Sequence, residues 1–322
     1  VIYEYAIEPE LAASWHDPRA ARFFVAQMGI GTPRVPCEFP SATWVAEVMR
    51  ALRASVPDPV RFQNAKKHLD ALLARLRQYA TQRHGAVAQN ERWLDAALRE
   101  HGQRAFRGIL VERNPGGLPS VVLEADTFAH DCPQWRVDHA PVLRDGRQLA
   151  ALLGPMLLGA RELRLVDPYF DAANASFRDP ILRMLATFQT AHGTGPLRAE
   201  IHTTIEHPKR HETVRPGELV LRARDKARDA ITHLRAAAGP RLTLVLYVWD
   251  ERHGGEKLHN RYVLTNHAGA AVQAGLDQAL HRAGHTDDVT VLSPAQHAAR
   301  WSQYRPASTA FREIIPPTQI AP

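Results

Sequence analysis

Apolar positions recur at helical spacing early in the chain and at strand spacing in its second half. After residue 58, Phe62, Ala65, Leu69, Leu72, Leu73 and Leu76 fall on one helical face, which predicts a helix to about Tyr79. Asp58-Pro59 supplies its N-cap and a proline at the first helical position. A second helix is predicted over 90–101, with Trp93, Leu94, Ala97 and Leu98 inward and Gly102 as its stop. Two short strands, 106–112 and 120–124, flank Asn114-Pro115-Gly116-Gly117, which reads as a β-hairpin. Residues 1–130 therefore read as a mainly helical interaction or specificity domain, with room for a protein partner. Trp15, Trp44 and Trp93 read as core or interface aromatics.

Residues 131–147 are polar and read as a linker. His130-Asp131-Cys132-Pro133 overlaps its start, and a linker explains this composition better than a metal cluster does. From 148 to 322 the pattern alternates between strands and helices, which predicts an α/β layered domain. Strands are expected at 163–170, 197–204, 242–249, 258–265 and 289–292. Asp179-Pro180 is expected to cap one helix, and further helices are expected at 219–235 and 294–304. The near-continuous apolar run over 242–249 suits a strand buried on both faces, with 258–265 beside it.

The 322 residues are 45% hydrophobic and 23% charged, enough for two domains with sizeable cores. That composition excludes a disordered tail, a collagen-like fibre and a disulfide scaffold. Forty Lys and Arg against 34 Asp and Glu give a net charge of +6, which favours phosphate-bearing partners without identifying one. Cys37 and Cys132 form no CxxC pair, which fits unpaired thiols in a reducing cytoplasm. No apolar run reaches the roughly 20 residues of a membrane span. The segment Val1-Ile2-Tyr3-Glu4 has no signal-peptide character, and Val1 implies removal of an initiator.

The chemistry concentrates in Lys257-Leu258-His259-Asn260-Arg261 and in Asn266 beyond it. On a strand His259 and Arg261 share a face, about 6.5–7 Å apart along the backbone. A phosphate between them meets an imidazole able to attack phosphorus and a cation able to neutralise its oxygens. Lys257 adds a second phosphate contact. Asp167 and Tyr169 lie at a strand's carboxyl end, where open α/β sheets place ligands. His202, Thr204 and Glu206, on or just after another strand, are possible accessory groups, with a locally bonded strand histidine as the plainer reading of His202. His207 and His211 have a metal-like spacing, but Pro208 prevents the helix that would align them. The basic stretch Arg222, Arg224, Lys226, Arg228 and Arg235 either tracks a nucleic-acid backbone or is a solvated helix face paired with Asp225 and Asp229.

His259-x-Arg261-x4-Asn266 resembles the HxKx4D motif of the phospholipase D superfamily, with Arg for Lys and Asn for Asp. With Gly275-Leu276-Asp277 and Leu165-Val166-Asp167-Pro168-Tyr169, it is similar to one branch of that superfamily. That branch is the phospholipase-D-like C-terminal domain that follows MIT (microtubule-interacting and trafficking) modules, together with its bacterial relatives. The resemblance covers about 148–322. It implies a metal-independent phosphodiesterase, most directly a nuclease, with no metal and no cofactor. In that reading His259 forms a phosphohistidine, Arg261 and Lys257 hold the phosphate and Asn266 orients the imidazole. Arg261 cannot donate a proton, although it clamps phosphate well, and Asn266 lacks the charge of an aspartate. The mechanism needs two histidines, and a single HxR copy implies either a homodimeric site or no catalysis. The alternative is a non-catalytic module that binds phospholipid head groups, phosphate or a protein partner, with membrane association under that reading alone. A metal-dependent hydrolase using some of the 17 histidines is a third reading.

Overall fold

The computed structural model describes residues 2–29, 32–117, 119–127, 132–136, 141–190, 195–205, 215–252, 254–279, 284–305 and 310–322. The chain divides into two compact units, 2–138 and 139–322, and both are mixed α/β. The division falls inside the stretch read as a linker. Within that stretch Trp135 is 2% exposed in the N-terminal core, packed against Tyr5 and Phe23.

The N-terminal unit contains β1 (Tyr3–Ile7), α1 (Pro9–Ser14), α2 (Pro18–Gln27), β2 (Arg34–Glu38), α3 (Trp44–Ser55), α4 (Pro59–Leu76), β3 (Thr81–Gln82), α5 (Trp93–Gln103), β4 (Gly108–Val111) and β5 (Val122–Glu124). The predicted helix after residue 58 is α4. Asp58 accepts a hydrogen bond from the Arg61 N–H at 2.8 Å, and Ala65, Leu69, Leu73 and Leu76 are buried. Helical residues outnumber strand residues, as the mainly helical reading expects, but that reading does not include most of the strands. The strands form a five-stranded sheet ordered β3-β2-β1-β4-β5, parallel throughout. The expected hairpin is replaced, because β4 and β5 run parallel in the register Ile109↔Val122.

The C-terminal unit contains β6 (Val142–Leu143), α6 (Gly146–Leu158), β7 (Glu162–Val166), α7 (Ala175–Gln189), β8 (Leu197–Thr204), α8 (Pro216–Leu234), β9 (Leu242–Glu251), β10 (Tyr262–Thr265), β11 (Gly269–Val272), β12 (Thr286–Asp287), β13 (Val289–Val291), α9 (Pro294–Gln303), β14 (Phe311–Glu313) and β15 (Thr318–Ile320). Its main sheet is ordered β13-β11-β10-β7-β8-β9-β14, with β15 also on the outer edge of β9. β7, β8 and β9 are parallel and the other pairs antiparallel. β9 is nearly all buried, as its apolar run predicts. The segment 258–265 does not lie beside it. β10 pairs β7, so β7 and β8 stand between β10 and β9. Helix α7 begins a turn before the expected Asp179-Pro180, capped by Asn174, whose side chain accepts from the Ser176 N–H at 2.9 Å.

Candidate functional site

Strand register decides which candidate residues meet. Val166 pairs with His202 on one side and with Tyr262 on the other, and His202 pairs with Tyr247. These side chains share one face, packed with Trp249, Tyr304 and Phe311. Residues one step along, Asp167 and Arg261, therefore point to the opposite face. They follow and precede the last paired residues, Val166 and Tyr262, and the Arg261 charge acts on the Asp167 carboxyl.

Asp167 is 2% exposed. Its Oδ1 accepts from the Tyr169 N–H at 2.9 Å, and its Oδ2 accepts from the Leu276 N–H at 2.9 Å. Burial raises its carboxyl above the usual range; the two N–H bonds and the Arg261 charge oppose this without overcoming it. Arg261 is half-buried. Its guanidinium lies 5.0 Å from the centre of the Tyr169 ring, and Nη1 donates to the Gln273 carbonyl at 3.2 Å. Gly275 has φ +129°, and a Cβ there would lie 2.5 Å from Asp277 Oδ1, so the turn requires glycine. Asp277 pairs with Arg144. Three short motifs, Asp-Pro-Tyr, His-x-Arg and Gly-Leu-Asp, thus meet at the carboxyl end of β7.

His259 and Arg261 do not lie on a strand, since β10 begins at Tyr262. The segment is instead held at its two ends. Leu258 is buried and its N–H donates to Glu251 Oε1 at 3.0 Å, while the Arg261 carbonyl accepts from the Val272 N–H at 3.1 Å. His259 sits exposed between these anchors, and no described residue bonds its ring. Lys257 is also exposed on this segment; its neighbour Glu256 pairs with Arg300.

Asn266 is not brought to this site. Its Oδ1 accepts from the Arg161 and Glu162 N–H groups at 3.0 and 3.1 Å, at the opposite end of β10. Four residues of strand, roughly 13 Å, separate it from Arg261, so it cannot orient the His259 imidazole. His202 is fully buried on the other face of the sheet. Its Nδ1 accepts from Trp249 Nε1 at 3.0 Å, which leaves Nε2–H to donate to Glu200 at 3.3 Å. Burial lowers its pKa, so it is a neutral core histidine rather than a second acid. Thr204 donates its hydroxyl to the Trp249 carbonyl at 2.7 Å. Glu206, His207, His211, His130 and Asp131 lie outside the described residues, and Cys132 packs against the N-terminal core.

Arg222, Arg224, Lys226 and Arg228 of the basic stretch fall on α8, and Arg235 follows its end. Arg222 bonds Glu218 and Arg228 bonds Asp225, while Lys226 Nζ donates to Thr203 Oγ1 and the Thr204 carbonyl at 3.0 and 2.8 Å. Cys37 and Cys132 are free thiols. Among the described residues no three His, Cys, Asp or Glu side chains are grouped to hold a metal ion, and no helix is long and apolar enough to cross a membrane. Sequence reasoning missed Arg144, whose pairing with Asp277 across 133 positions carries no local signal. The chain matches no protein-family model and no curated protein.

Proposed function

We propose that the C-terminal unit is a phospholipase-D-like module that recognises a phosphodiester group at the carboxyl end of β7, with nucleic acid as its ligand. The observation that supports this reading is the meeting of Asp167, Tyr169, Arg261 and Gly275-Leu276-Asp277, in the order of motifs that the resemblance implies. Arg261 is braced by Tyr169 and by the Gln273 carbonyl. A guanidinium held this way loses little side-chain freedom when it binds a phosphate. Exposed Lys257 and His259 on the preceding segment add donors to the same end of the strand.

A second reading, phosphodiester cleavage, is favoured by one observation: the His259 ring is exposed and held by no described residue. It is therefore available as a nucleophile. A phosphohistidine route also needs an acid for the leaving group, and buried His202 does not supply it. Cleavage accordingly requires His259 from a second copy of the chain.

Fluorescence anisotropy with short labelled DNA and RNA at low salt tests the first reading. Arg261→Ala should weaken binding about tenfold or more, and Arg261→Lys less. Unchanged affinity in Arg261→Ala would remove the site. Cleavage of the same oligonucleotides in EDTA, lost in His259→Ala and on dilution of the protein, would establish the second reading. Vesicle co-sedimentation without oligonucleotide binding would replace nucleic acid by a lipid phosphate.

A further inference from the structure

The N-terminal sheet has its own cavity, at the edge where β1, β2 and β3 end. Pro9 and Glu10 follow β1, Pro40 and Thr43 follow β2, and His84 and Val87 follow β3; all six line a space of about 530 Å³. The carboxyl ends of parallel strands are the general ligand position of open α/β sheets. The volume is that of a small-molecule site.

Ser41 lies on the turn between β2 and α3. Its N–H donates to the Arg83 carbonyl at 2.9 Å, which ties this turn to the one after β3. His84 is the next residue, and its Nδ1 stands 2.6 Å from Ser41 Oγ. Helix α3 opens immediately beyond. Thr43, its N-cap, places no side chain on the first-turn amides, and Ala42, Thr43 and Glu47 border the cavity. The Thr43 and Trp44 N–H groups already donate to the Pro40 carbonyl at 3.0 and 2.9 Å, so the first-turn amides left for a developing oxyanion are those of Val45 and Ala46. A hydroxyl on a strand-to-helix turn, flanked by the cavity-lining Pro40 and Ala42, and a cavity-lining imidazole within hydrogen-bond reach of it together make a nucleophile and a base.

We propose that Ser41 and His84 are the nucleophile and base of a second reactive centre, which cleaves short-chain carboxylic esters. Ser41 Oγ bonds to the acyl carbon while its proton passes to His84 Nδ1. The oxyanion takes the Val45 and Ala46 amides of α3, and Pro40, Val87 and Trp93 offer an apolar wall for the acyl chain. Collapse breaks the acyl carbon–oxygen bond, and the departing alkoxide takes the proton from His84. Water then gives a proton to His84 as its oxygen attacks the acyl-serine. The carboxylic acid leaves, and Ser41 Oγ recovers the proton.

The test is labelling of the full chain with a fluorophosphonate, read by intact mass and peptide mapping, alongside hydrolysis of p-nitrophenyl butyrate. The expected result is one adduct on Ser41 and ester turnover that Ser41→Ala abolishes. His84→Gln, at an exposed position, should keep the fold by circular dichroism and slow both reactions on the order of 10²-fold or more. Absence of a Ser41 adduct on the folded wild-type chain would overturn the proposal without recourse to any variant. Equal labelling rates in wild type and His84→Gln would overturn the role of the pair.

Discussion

Both units bury a glutamate on a strand of a parallel pair and surround it with arginines, yet the two clusters differ in what they can sense. In the N-terminal unit Glu4 accepts from Thr81 Oγ1 at 2.5 Å, from Arg83 and from Arg104 Nη2 at 3.0 Å. Arg83 also lies 3.6 Å over the Phe106 ring. In the C-terminal unit Glu200 accepts from Arg164 at 2.9 Å, Arg198 at 2.7 Å and His202 at 3.3 Å. Burial pushes both carboxyls up, but their hydrogen-bond donors and the flanking arginines outweigh it, so that Glu4 is held at about 2 and Glu200 is likewise lowered. The first cluster contains no histidine; the second is built around one. The buried ions belong to the scaffold. The groups we assign to chemistry, His259 with Lys257 and Ser41 with His84, lie at strand ends where solvent reaches them.

The largest expected effect is in the N-terminal cluster. Arg83 and Glu4 side chains are 2% and 4% exposed, so Arg83→Ala strands a buried carboxylate with one half-exposed arginine and a hydroxyl. The cost should be about 3–5 kcal/mol in urea unfolding. Arg198→Ala at the other cluster should cost under about 1 kcal/mol, since Arg198 is 40% exposed and Arg164 and His202 stay in place. Similar costs for the two variants would break the contrast.

A smaller effect comes from pH, and the two units should respond with opposite sign. Burial raises Glu8, just after β1, to about 7, against the N–H bond from Glu112. Its folded value exceeds the unfolded one, so its contribution is full below about 4.5 and is lost as pH rises towards 7. His202 and His297 are lowered from 6.5 by burial. The unfolded chain takes up their protons first, so their contribution is present above 6.5 and is lost as pH falls below it. Urea unfolding at pH 5, 6 and 7 should therefore show Glu8→Gln removing a decline with rising pH. His202→Phe should remove part of a decline with falling pH, and at pH 7 it should cost about 1–3 kcal/mol by leaving the Trp249 indole N–H unpaired. It should leave oligonucleotide binding unchanged, because its ring lies on the face opposite Arg261. Loss of binding in His202→Phe would return that histidine to the site.

Where the sequence misled, distant charge partners or strand order were responsible. Helix α4 and strand β9 were legible because a cap and an apolar run are local signals. Strand β1 was not: Glu4 interrupts its apolar run, and Arg83, which makes that carboxylate tolerable, is 79 positions away. Strand β2 carries Arg34, Pro36 and Glu38 for similar reasons, with Glu38 held by Arg77 at 2.5 Å. At the site, Asp167, Tyr169, Arg261 and Gly275 were legible as short motifs. The position of His202 was not, because the face a strand residue occupies depends on register with strands that the residue itself does not specify.

Asn266 gives the smallest expected effect and the sharpest separation of motif from geometry. Its side-chain oxygen accepts from two successive backbone N–H groups, Arg161 and Glu162, where the chain enters β7. Asn266→Ala removes both acceptors, but the site is exposed enough for water to replace them, so the cost should be about 1 kcal/mol or less. Asn266→Asp retains the acceptors and restores the acidic residue of the HxKx4D pattern. If the pattern governs, the aspartate variant should raise cleavage or binding at His259 and Arg261. Because roughly 13 Å of strand lies between, we expect neither variant to change oligonucleotide affinity, and the aspartate variant to keep wild-type stability. A gain of activity in Asn266→Asp would mean that His259 meets this residue from a second copy of the chain, which ultracentrifugation of that variant would then have to show as a dimer.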